Sequence, residues 1–106
     1  MLSNDVQSVS RSSWSVIDAA LDNRAVIAAQ NGDVEINAGC REIRKLGWDA
    51  RGRHAEADRD LAVALAPEQW ALIWATLVTA HETEKLLGRD PEPLECALAE
   101  VRNLLN

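Results

Sequence analysis

Two histidines, two cysteines and a cluster of arginines are the side chains of this 106-residue chain whose types and spacing could do chemistry. His81 opens the segment HETEK, which begins like the zinc-protease helix pattern HExxH. Position 85 is Lys where the second imidazole would have to stand, and an ammonium in place of a ligand excludes that metal centre. In helical projection His81 shares a face with Trp70, Trp74 and Leu77, so it is expected at the edge of the core, bonded to a backbone carbonyl or to Glu84. His54 and Asp58 stand four residues apart, a spacing that orients an imidazole for proton transfer and equally makes an ordinary ion pair. Neither histidine has a Ser or Cys nucleophile placed by a local motif, and there is no glycine-rich phosphate loop. The chain is therefore expected not to be an enzyme, with no catalytic residue, no cofactor and no metal, an enzyme built on a His-carboxylate pair (His81 with Glu84, or His54 with Asp58) being the remote alternative.

Cys40 and Cys96 are too few for a disulfide framework or a zinc site, which takes about four clustered ligands. Cys40 falls on the apolar side of its segment and is expected to act as a small buried hydrophobe. Cys96 projects opposite the stripe of Leu94, Leu98 and Val101, among Glu92, Glu95 and Glu100, so it is expected to be exposed or in a secondary contact, and unreactive.

The least expected feature is the segment RKLGWDARGRH, residues 44–54. Between Arg41 and Arg53, five basic side chains (Arg41, Arg44, Lys45, Arg51, Arg53) stand against two acidic ones, so this window carries +3 and the rest −9 of a formal net charge of −6. Arginine forks grip carboxylate or phosphate at two points, and a partly exposed Trp48 would fill a pocket or stack on a base. Together with Asn37 these residues form the candidate partner-binding surface: Asn37, Arg41, Arg44, Lys45, Trp48, Arg51 and Arg53. The plainer alternative is a helix end: Arg44 and Lys45 favour a C-terminus, Gly47 sits at C′, Trp48 packs back on Ile43, and Arg51 and Arg53 pair with Glu56, Asp58 or Asp60. Glu82, Glu84, Asp90, Glu92, Glu95 and Glu100 form an acidic counterpart, either a phosphate-like array or simply a soluble surface.

The elements that must hold these residues are helical by pattern. The chain is 47% hydrophobic, with only five glycines and three prolines, and its four tryptophans carry all the aromatic packing because Phe and Tyr are absent. At this length one domain, residues 1–106, buries about 65% of its unfolded surface, with the first few residues expected to be disordered. Asn4 or Asp5 could cap a first helix, although the serines of SVSRSS make a start near Ser13 safer; it breaks at Asp22-Asn23 or runs on to Gln30. Asn31-Gly32 stops it and Asp33 caps the next, in which Ile36, Gly39, Cys40, Ile43 and Leu46 face inward. Residues 54–65 read as a further helix with Ala57, Leu61, Ala64 and Leu65 inward. Pro67 opens the strongest segment, ending at Gly88, with apolar residues on opposing sides: Trp70, Ile73, Trp74 and Leu77 against Leu72, Ala75 and Leu86. Asp90 caps the last helix, whose stripe is Leu94, Ala97, Leu98, Val101 and Leu105. No strand pattern stands out. The expected fold is all-α, a compact bundle of five to six short helices around a central helix at about residues 67–87.

No apolar run approaches the roughly 18 residues of a membrane span, and residues 1–13 lack the pattern of a secretory signal, so a soluble, cytoplasmic protein is expected. The composition points to a small acidic interaction protein, a regulator or inhibitor that docks on a larger protein or nucleoprotein complex. By analogy of size and charge alone, phage or mobile-element inhibitors of host nucleic-acid machinery, anti-CRISPR proteins among them, are of this kind. The alternative is a nucleic-acid-binding module using the basic surface of residues 37–53. Oligomeric state stays open, with Val63 and Leu86 as the apolar residues to watch.

Overall fold

The computed structural model describes residues 5–53 and 59–105. The order of elements is β1 (Asp5–Ser10), α1 (Arg11–Gln30), α2 (Val34–Arg53), β2 (Asp60–Leu65), α3 (Pro67–Leu86) and α4 (Glu92–Leu105). The protein is mostly helical and compact, but among the described residues it has four helices and a two-stranded sheet rather than five to six helices and no strand. The segment DLAVAL is the reason. Leu61, Val63 and Leu65 are buried and Ala62 and Ala64 lie between them, a period of two that a helix cannot present on one face. The helical projection, which turned Leu61, Ala64 and Leu65 inward, therefore chose the wrong period, and Val63 is core, not a spare apolar surface. Ala57, with the rest of residues 54–58, lies outside the described residues.

β2 pairs antiparallel with β1, from Asp5↔Leu65 to Ser10↔Asp60. A further bond, Arg11 N–H to Arg59 C=O at 2.8 Å, fixes which residues exchange hydrogen bonds across the pair. By alternation the N–H of Ser10 points away from β2, and it donates to Glu100 Oε1 of α4 at 2.9 Å. Ser10 is also the N-cap of α1, accepting from the Ser13 N–H at 3.2 Å. The helix thus starts at Arg11, earlier than Ser13, because the serines that weaken a helix interior serve here as its cap.

α1 runs through Asp22-Asn23 to Gln30 and packs on every other element, which makes it, and not α3, the central helix. In α3 the first expected strip faces the core, with Trp70, Ile73 and Leu77 buried beside Thr76, while of the opposing strip only Leu72 packs against the core, partly buried; Ala75 is exposed and Leu86 is 87% exposed. Gly32 and Gly88, at φ of 75° and 70°, end α1 and α3 as expected. In each the glycine N–H and the one after it reach back to the last turn, Gly32 to Ala29 and Asp33 to Ala28, then Gly88 to Lys85 and Arg89 to Glu84. Asp33 and Asp90 cap α2 and α4 by accepting from the N–H groups of Ile36 and Glu92.

Gly47 behaves differently from those two. It lies inside α2, buried, and a Cβ there would overlap the indole of Trp14 on α1. It is a notch, not a C′ residue, so α2 continues one and a half turns beyond it to Arg53. Trp48 is then a helical residue on the outer face and does not pack back on Ile43, which is buried beneath.

Candidate docking face on α2

The extension of α2 to Arg53 puts the candidate residues on one rigid helix and sorts them into two sets. The first faces α1 and is used up there. Asn37 Nδ2 donates to the Ala25 carbonyl at 2.9 Å. Arg44 bridges Asp18 (Nε–Oδ1 3.0 Å) and Asp22 (Nη1–Oδ1 2.8 Å). The hydrogen bonding it donates to Asp18, with the charges of both carboxylates, holds the Arg44 guanidinium above its already high ordinary value despite some burial. Asn37 and Arg44 are thus seam residues between α1 and α2, not free partner-binding groups.

The second set faces out. Arg41, Lys45 and Arg53 are exposed and make no ion pair or hydrogen bond among the described residues. Trp48 is 60% exposed. Arg51 stands between the sets: its Nη2 donates to Ser15 Oγ at 2.9 Å, its guanidinium carbon lies 5.6 Å from the Trp48 ring centroid, and its Nε is buried without a partner. The cation over one face of the indole braces Trp48 in its exposed position. Arg51 therefore does not pair with Asp60, and its other expected partners, Glu56 and Asp58, fall outside the described residues.

Along the outer surface of α2 the exposed residues Val34, Ala38, Arg41, Lys45, Trp48 and Gly52 succeed one another at steps of four, three, four, three and four. They form a single row on the helix. Exposed Glu35, Glu42 and Asp49 follow one flank, and Asp18 and Asp22 lie across the seam on the other. The positive charge is a narrow strip, not a broad basic face.

The other reactive side chains are held in structural roles. His81 is half-buried and its Nε2 lies 3.3 Å from Glu95 Oε2 on α4, not beside Glu84 or a carbonyl. Glu84 instead receives both arms of Arg89, Nε–Oε2 at 2.7 Å and Nη2–Oε1 at 3.0 Å. His54 and Asp58 lie outside the described residues. No group of three or more metal-ligating side chains comes together among the described residues. Cys40 is buried and Cys96 exposed, both free; burial pushes the Cys40 thiol up, against the opposing charge of Arg24.

Sequence reasoning missed one polar cluster. Glu100 accepts from the Ser10 N–H, the Ser10 hydroxyl at 2.7 Å and the Ser13 hydroxyl, closing the start of α1 with a carboxylate from the far end of the chain. Burial opposes its charge, but the hydrogen bonds from Ser13 and Ser10 outweigh it and hold the carboxyl below the ordinary glutamate range. With Glu84, Asp90, Glu95 and Glu100 each engaged in a cap or a pair, the expected acidic array is reduced to Glu82 and Glu92. The serine spacing signals a cap; nothing local signals Glu100.

A groove of about 570 Å³ separates α1 from the α3–α4 turn, with Ala19, Ala20 and Asn23 on one wall and Arg89, Pro93 and Leu94 on the other. No helix among the described residues is long and apolar enough to cross a membrane. No protein-family model, no curated protein and no solved structure matches this chain.

Proposed function

We propose that the protein is a non-enzymatic interaction protein that docks on a larger protein complex through the outer face of α2. The observation that carries this reading is a large, exposed aromatic ring braced by Arg51 and in line with Lys45 and Arg41, two cations without an ion pair among the described residues. Tryptophan and arginine are among the residues that most often anchor protein interfaces, tryptophan because it desolvates a large area with only two side-chain torsions to freeze, arginine because its planar guanidinium both stacks and forms two-point hydrogen bonds. An exposed indole costs solubility, and the plain helix-end account no longer explains it once α2 runs past Gly47 and leaves Trp48 60% exposed.

By analogy of size and charge, the reading extends to a cytoplasmic regulator or inhibitor of nucleic-acid machinery, anti-CRISPR-like in kind. Affinity capture from a host lysate, with and without nuclease, tests the docking claim by comparing wild type with Trp48→Ala/Lys45→Glu. A specific protein retained after nuclease and lost in the double variant supports it. Capture unchanged by the double variant excludes α2, and capture abolished by nuclease transfers the face to nucleic acid.

A further inference from the structure

The row on α2 has a finer pattern than exposure alone. Steps of four and three in alternation are the spacing with which one helix meets another along a seam. Val34, 76% exposed, and Trp48 supply apolar contacts at two points about 21 Å apart along the axis. Ala38 and Gly52 are small, and at Gly52 a side chain would meet nothing within 4 Å. A second backbone can therefore approach closely at Ala38 and at Gly52. Between them stand Arg41 and Lys45, with no carboxylate of this chain paired to either among the described residues.

We infer that the occupant of this row is an acidic amphipathic helix of a partner protein, lying along α2 with carboxylates against Arg41 and Lys45 and an apolar side chain against Trp48. This rests on the docking reading above. Charge selects the occupant. A second copy of the chain fails, because an antiparallel α2 pair centred on the row brings Arg41 opposite Lys45 twice, and a parallel pair sets each cation against itself. A nucleic acid fits poorly, because its phosphates run past both flanks of the row, where Glu35, Glu42 and Asp49 outnumber Arg53 on one side and Asp22 stands on the other. A helix is narrow enough to engage the strip and leave those carboxylates in water. Arg51 is a positioning residue here, holding the 60% exposed indole from one side.

The test uses the full chain and three labelled probes followed by fluorescence anisotropy: an acidic amphipathic peptide helix of about four turns, the same peptide with every Glu replaced by Lys, and a short DNA duplex. The acidic peptide is expected to bind, the lysine peptide and the duplex not. Trp48→Ala should weaken binding by about thirtyfold, as for an interface anchor. Arg41→Glu/Lys45→Glu should reverse the preference, rejecting the acidic peptide and admitting the lysine one, a gain that misfolding cannot produce. Binding of the lysine peptide to wild type as tightly as the acidic one, or no reversal in the double variant, overturns the acidic helix. Duplex binding that depends on Trp48 overturns it too while leaving the docking face in place. Acidic-peptide binding indifferent to Trp48→Ala removes the face itself.

Discussion

Gly47→Ala is the sharpest probe of how α2 is seated, because two physical effects oppose each other there. Alanine in a helix interior is favoured over glycine by about 1 kcal/mol, so on propensity alone the substitution stabilises. Against this, the new methyl would overlap the Trp14 indole, and Trp14 is buried in the main core, so its ring yields only by displacing other core side chains. Overpacking of that kind costs about 1–3 kcal/mol. With the overlap severe, the upper end applies, and the net expectation is a loss of about 2 kcal/mol, roughly 8–16 °C in melting temperature for a domain of this size. Gly52→Ala, on the same helix with open space around it, is the internal control and should gain up to about 1 kcal/mol. Urea denaturation followed by the helical circular-dichroism band measures both. If Gly47→Ala stabilises as Gly52→Ala does, Trp14 does not occupy the notch, and the continuation of α2 past Gly47 loses its explanation. In a Trp14→Leu background, where the overlapping ring is gone, Gly47→Ala should cost distinctly less.

Glu100 has its carboxyl held low in the folded state, so its contribution is complete above the ordinary glutamate value near 4.5 and is lost as pH falls through the lower folded value. Glu100→Gln should therefore flatten the acid limb of the stability curve below that value, and an unchanged limb in urea titrations would refute the cluster. Arg44→Met should cost on the order of 1 kcal/mol, because its pairs with Asp18 and Asp22 are partly exposed, yet should leave partner capture intact. Loss of capture with stability preserved would return Arg44 to the interface. A thiol reagent applied to the native protein should titrate Cys96 alone, with Cys40 reacting only after denaturation. Immediate reaction of both would contradict the burial of Cys40.

What could be read in the chain beforehand divides along the reach of the interactions. Gly32 and Gly88 were legible as helix ends because their neighbours, polar Asn31 and Arg89-Asp90-Pro91, concur within a few residues. Gly47 carries the same local signs, basic residues before it and an aromatic after, and is nonetheless helical, because Trp14 on another helix decides its role. DLAVAL is short enough to satisfy either period, and its strand partner DVQSVS is separated from it by two whole helices. The candidate surface was legible as a charge anomaly. Which of its members are spent internally was not, since that depends on how α1 lies on α2: Arg41 and Arg44 are near neighbours in sequence, yet Arg41 has no ion pair among the described residues and Arg44 is bound by Asp18 and Asp22. The loss of α3 as central helix has the same origin, for apolar Leu86 and Ala75 show period but not what covers them.

The most direct test of the central claim is site-specific photo-crosslinking in nuclease-treated host lysate, with the crosslinking residue placed at Ala38 on the α2 row or at Glu82, exposed on α3. A protein adduct formed from position 38, absent from position 82 and abolished by adding Trp48→Ala, is the predicted result. An adduct from position 82 alone, or one from position 38 that survives Trp48→Ala, would mean that the partner sits elsewhere on the molecule.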